Sequence, residues 1–152
     1  MLRRCKPTLV GACLALVVVA GLLQHADGPV CAASDAEESA ILQRARLYLD
    51  AEIRGDLKSV YALLAPSSGY VAQNSYEVYA AEAKASPVRI LEYKILRVHL
   101  IRDNHDPKAF PKVEKFAQVE VDLKLFFSDI GKSTEVNYDF TFIKENGHWY
   151  KG

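Results

Sequence analysis

The hydrophobic repeat of this chain changes once, at Ser86-Pro87, and no other feature limits its fold as much. Before that point apolar residues recur every three or four positions; after it they alternate. A repeat of about 3.6 marks a helix with one buried face, and a repeat of 2 marks a strand with one buried face. The chain therefore reads as a helical half followed by a sheet half.

In the helical half, Ser34-Asp35-Ala36-Glu37-Glu38 reads as a helix start, with Asp35 as cap and Glu38 closing a capping box. Ile41, Leu42, Ala45, Tyr48, Leu49 and Ile53 follow on one expected face. Gly55 is expected to end this helix in a left-handed turn, and Asp56 to cap the next. Leu57, Val60, Tyr61 and Leu64 form the second stripe, stopped by Pro66. Asn74-Ser75 caps a third helix from Tyr76 to about Ala85, closed by Ser86-Pro87.

Val88 to Arg102 is strand-like, but its apolar parity switches between Ile95 and Leu96, as a bulge would cause. Residues 103–111 read as a loop. Val119, Val121, Leu123, Leu125 and Phe127 then alternate with mostly polar neighbours, as do Val136, Tyr138, Phe140 and Phe142. With Asp129-Ile130-Gly131-Lys132 as the turn, Ser128 faces Ser133, Leu125 faces Val136, and Val119 faces Phe142. Every inward apolar position then meets another, and a one-residue slip would destroy the match. Asn146-Gly147 is a strong hairpin signal that sets Trp149 opposite Lys144, on the face of Phe140 and Phe142. Helices followed by an antiparallel sheet with one apolar face predict an α+β domain with the helices packed on that face.

The first 33 residues differ in composition from the rest. Arg3, Arg4 and Lys6 precede an apolar run from Leu9 to Leu23, then Gly28-Pro29 and the small residues around Cys31. That order is the pattern of a secretory signal peptide, expected to be cut after Ala32 or Ala33. The run would span about 22 Å as a helix, short of a hydrocarbon core of roughly 30 Å. An uncleaved anchor is the second reading. Neither Cys13, inside the run, nor Cys31, eight residues beyond it, sits where a lipidated cysteine belongs.

Cys5, Cys13 and Cys31 all lie in this leader, so residues 34–152 can form no disulfide and hold no thiolate metal site or cysteine nucleophile. Taking three basic residues and Asp27 from 19 of each sign leaves 16 basic against 18 acidic groups, a net of −2. Such a surface gives no electrostatic reason to bind nucleic acid or anionic lipid. The expected location is periplasmic or secreted.

Tyr48-Leu49-Asp50-Ala51-Glu52-Ile53-Arg54-Gly55-Asp56, followed by Tyr61-Ala62-Leu63-Leu64, resembles the opening of the nuclear transport factor 2-like superfamily. The ending from Phe142 to Lys151 is similar to the final hairpin of the same group, especially of small exported bacterial domains of unknown function. The likeness covers nearly all of residues 35–152. It implies a curved sheet wrapped around helices, a cone with a pocket, which serves enzymes, binders and assembly domains alike. It also implies that homodimerisation through the sheet is common.

Enzymatic members place carboxylates, histidine or tyrosine inside the cone. Here the inward strand positions carry Val, Leu, Phe, Thr and Tyr138, with no acid or histidine. A general base must reach its proton, so this wall predicts no catalytic residue. Tyr48, Tyr61, Tyr93, Tyr138 and Trp149 are the ligand-binding candidates, able to orient a molecule by hydrogen bonds or to act as core. On the outward face Asp122 is expected to oppose Asp139, with Glu120 nearby, a pair that either binds a hard cation or is neutralised by Lys94, Arg97 or Lys124. The second reading is preferred. His99, His105 and Asp106 meet no ligand spacing, His148 reads as surface, and Ser67-Ser68-Gly69 lacks a nucleophile elbow. No metal or cofactor is expected. Phe116, Phe126 and Ile143 point outward and suggest an interface, a homodimer or a partner protein, unless the 103–112 loop folds Phe110 over them. The expected function is a non-enzymatic exported domain that binds an apolar ligand or an envelope protein. The alternatives are a tyrosine-based isomerase or cyclase, and a membrane-tethered assembly domain of a secretion system.

Overall fold

The computed structural model describes residues 30–152, with side chains from Ser34 onward. The expected leader, its cysteines and its cleavage site lie outside the residues whose side chains are described. Four helices come first: α1 (Val30–Arg54), α2 (Leu57–Leu63), α3 (Gly69–Gln73) and α4 (Tyr76–Ala85). Four antiparallel strands follow in the order β1-β2-β3-β4: β1 (Val88–Asp103), β2 (Lys115–Phe127), β3 (Lys132–Glu145) and β4 (His148–Lys151).

Helix α1 begins before the expected cap at Asp35, because no glycine or proline stands between Val30 and Ser34 to stop it. Its end is as expected. Gly55 takes φ 66°, its amide donates to the Glu52 carbonyl, and the Asp56 amide donates to the Ala51 carbonyl. That pair of bonds is a Schellman turn. Asp56 then caps α2 by accepting from the Ser59 amide at 3.1 Å. Ile41, Ala45, Tyr48 and Leu49 are buried, but Ile53 is 41% exposed. Twelve residues after Ile41 places Ile53 about 120° around the helix, off the packed face. The short helix α3, capped by Ser68, was not signalled by any hydrophobic repeat.

The helices cover one sheet face. Ile41, Leu49, Val60 and Leu63 pack with Val119, Val121, Leu123, Phe140, Phe142 and Trp149 in one core. The inward set is therefore the one that alternation selected. The β2–β3 register, however, differs by two residues: Val119 pairs with Phe140, Leu123 with Val136, and Phe127 with Lys132. The turn is Ser128–Gly131, with Gly131 at φ 64°. Ser128 follows the end of β2, and its amide and hydroxyl both donate to the Pro87 carbonyl, at 2.8 and 3.1 Å, one step beyond the Val88–Phe127 pair. A slip of two leaves every side chain on its own face, so alternation could not detect it.

Strand β1 carries the expected irregularity between Ile95 and Arg97 and two more, between Ile90 and Glu92 and between His99 and Arg102. Such insertions bend a strand and increase its twist. At the last hairpin Asn146 (φ 49°) and Gly147 (φ 76°) are both left-handed, and Trp149 pairs with Lys144 as expected. The Ala65 amide donates to the Lys151 carbonyl at 2.8 Å, which straps the exit of α2 to β4.

Candidate functional site

Three tyrosines named from the sequence have their hydroxyls engaged by the protein. Tyr48 donates to Glu52 Oε1 at 2.7 Å, Tyr93 to Asp50 Oδ1 at 2.8 Å, and Tyr61 to the Asn74 carbonyl at 2.7 Å. Burial, then the Glu52 charge and hydrogen bond, push the Tyr48 phenol well above its ordinary range. Burial and the bond to Asp50 push Tyr93 up to about 12. All of this favours neutral phenols that donate. Trp149, only 4% exposed, belongs to the core, with Lys144 Nζ 5.9 Å from its ring centroid.

Carboxylates thus do reach the inner layer, from α1 rather than from the sheet. Glu52 follows Ile41 by eleven residues, about 20° from the same radial direction on a helix, and it is half-buried. That spacing, with Tyr48 four residues before it, is the sequence signal for Glu52, and a stripe drawn from apolar residues alone leaves it out.

Tyr138 behaves differently from the other candidates. It is 55% exposed, stacks edge-on to Phe140 at 5.0 Å, and lines a cavity of about 420 Å³. The cavity lies between the α2–α3 connection, the β1–β2 loop, β3 and the end of β4. Phe110, Val113, Phe116 and Ile143 give it apolar walls, while Ser67, Asp139, Thr141 and Lys151 add polar groups. Burial lowers the Lys151 ammonium pKa, partly opposed by the charge of Glu52, and its Nζ lies 5.6 Å from the Phe140 centroid. Beside Ser67 is Glu145, 2% exposed, whose carboxylate accepts from the Ser67 hydroxyl.

The outward aromatics are partly covered by the chain itself. Phe110 meets Phe116 edge-on at 5.5 Å, and Arg102 lies over the other ring at 4.5 Å. Ile143 is 7% exposed beneath Ala65 and Val113. Phe126 is half-buried, paired with Arg89 and Ser133. The loop is held down by Asn104, whose amide donates to the Phe110 and Val113 carbonyls at 2.8 and 2.9 Å.

The observed β2–β3 register also changes the acidic pair. Asp122 opposes Asn137, which donates to it at 2.9 Å, and Asp139 opposes Glu120 instead. Arg97 bonds Glu120 at 2.6 Å and His99 bonds Asp139 at 2.9 Å, so cationic or hydrogen-bonding partners offset the clash. A second hollow of about 410 Å³ lies along the sheet near Glu92, Lys94, Asp122, Lys124 and Glu135, with Lys124 and Glu92 paired at 3.1 Å. Among the described residues no group of three or more acidic, histidine or cysteine side chains is placed to hold a metal. No described helix is long and apolar enough to cross a membrane.

No family model matches the chain. No curated protein matches it either. Among solved structures it is similar to a ketosteroid isomerase-like protein from Erwinia carotovora atroseptica SCRI1043. The two are 20% identical, with a TM-score of 0.49, over 76% of this chain and 90% of that one. Helices first, then an antiparallel sheet with the helices on one face, is the α+β arrangement that the change of hydrophobic repeat predicts.

Proposed function

We propose that the protein is an exported, non-catalytic domain that binds a small, mainly apolar molecule in the cavity beside Tyr138. The cavity carries this reading. Its volume of about 420 Å³ suits a small ligand, since such sites run from about 300 to 1,000 Å³ with apolar walls and few polar groups. Export rests on the order of charge, apolar run and small residues in the leader.

Proton-transfer chemistry has less support. A general base must reach a substrate proton. Asp50 and Glu52 each accept a phenol hydrogen bond, and Asp139 is bonded to His99. The raised pKa values of Tyr48 and Tyr93 keep those phenols from acting as bases near neutral pH.

The test is native mass spectrometry of protein taken from its own exported fraction, with Phe116→Arg as a variant that crowds the cavity. The expected result is a chain beginning near Ser34 that retains a small molecule, and loss of that molecule from the variant. A full-length, ligand-free species would overturn the reading and favour the membrane-tethered assembly role.

A further inference from the structure

Glu145 is the one buried charged residue among those described, at 2% exposure. No Lys, Arg or His among the described residues pairs with it, and its strand neighbour Lys144 bonds Glu37 instead. Its partner is the Ser67 hydroxyl, 78 residues away in sequence. Burying a carboxylate without a cation costs several kcal/mol, so this pairing is an expensive way to join the α2–α3 connection to the end of β3.

The chemistry of a hydroxyl shows what the pair offers. Serine has one proton and two lone pairs. With its proton given to Glu145, Ser67 can only accept further bonds, and its oxygen is made more electron-rich by the charge behind it. Ser67 lines the cavity, among Phe110, Val113, Phe116 and Ile143. An acceptor in such surroundings favours a ligand that supplies the missing donor.

Resting on the binding reading above, we infer that the cavity selects an apolar molecule carrying a hydroxyl or amine, which donates to Ser67 Oγ. Glu145 is then a positioning residue. It fixes the direction of the Ser67 proton and thereby the polarity of that point in the wall, which also holds Asp139 and Lys151. Sites built to bond a polar group discriminate strongly against analogues that lack it.

The probes are p-cresol, which donates, 4-methylanisole, which only accepts, and toluene. Binding is followed through the backbone amide signals of Ser67 and Ser68 in the full domain. The expected result is p-cresol binding about ten-fold tighter than 4-methylanisole, the effect of one satisfied hydrogen bond. Ser67→Ala alone would leave Glu145 buried without a donor, so the control is Ser67→Ala with Glu145→Met, which removes both partners. In that variant the preference should fall to within about two-fold while toluene affinity is kept.

Equal binding of p-cresol and 4-methylanisole overturns the inference and leaves the cavity reading standing. Tighter binding of 4-methylanisole also overturns it, by placing the shared proton on Glu145. A donor preference that survives in the double variant removes Ser67 from the role. Absence of any shift with all three probes overturns the cavity reading itself.

Discussion

Replacing Glu37 with Gln should loosen α1 from the sheet in a way that depends on pH. Glu37 projects from α1 between Lys115 and Lys144, which face each other across β2 and β3. Its two oxygens accept from their ammonium groups at 2.7 and 2.8 Å. Without it, two like charges would stand directly opposed on one face. The carboxylate is 15% exposed and the lysines 33% and 23%, so the bonds are partly screened by water. Taking about 1 kcal/mol for each gives a loss of about 2 kcal/mol near neutral pH. For a domain of roughly 120 residues that lowers Tm by about 8 °C. Burial alone would raise the Glu37 pKa, but the hydrogen bonds and charges of Lys115 and Lys144 hold it below the usual carboxylate range. Its contribution is therefore fully present above the ordinary carboxylate value. It is lost as pH falls through the lower folded one. Urea and thermal unfolding of both proteins at about pH 7 and about pH 3 would measure this, and the gap should shrink towards zero in acid. A gap equal at both pH values, or wider in acid, would refute the clamp.

Gly55→Ala should destabilise the domain by about 1 kcal/mol through backbone conformation alone, since φ is 66° and a Cβ there meets nothing within 4 Å. A urea midpoint unchanged from wild type would exclude the left-handed turn. Tyr93, whose pKa is pushed up to about 12, should ionise late in a titration of phenolate absorbance, together with Tyr48, Tyr70 and Tyr79, which are also raised, and Tyr93→Phe should reduce that late component by one phenol. Because its folded pKa is raised, its stabilisation is whole below the ordinary phenol value and lost as pH rises through about 12. Ionisation of every tyrosine together near the free value would contradict the bond to Asp50.

The parts of this fold that could be read from the sequence are those with a local cause. Gly55 followed by Asp56 encodes a helix stop and start because one needs a left-handed residue and the other a short acceptor. Asn146-Gly147 fixes its hairpin for the same kind of reason. Periodicity also found the buried face of β2 and β3, since Val119, Val121, Phe140 and Phe142 are all in the core. A repeat of two, however, carries no information about a slip of two. In the fold the turn is Ser128–Gly131 rather than Asp129–Lys132, and Ser128 bonds to Pro87, a contact made 41 residues away in sequence. The site has the same character. Ser67 meets Glu145 across 78 residues, and Phe110 reaches Phe116 only because Asn104 folds the intervening loop back on itself. Alternation shows which side chains share a face but not which loop covers it. That is why Ile143 reads as exposed in the strand pattern and is buried in the fold. Glu52 was hidden by a different limit. It lies in the buried stripe of α1, yet a stripe defined by apolar residues leaves out a carboxylate whose partner, Tyr48, makes its burial tolerable.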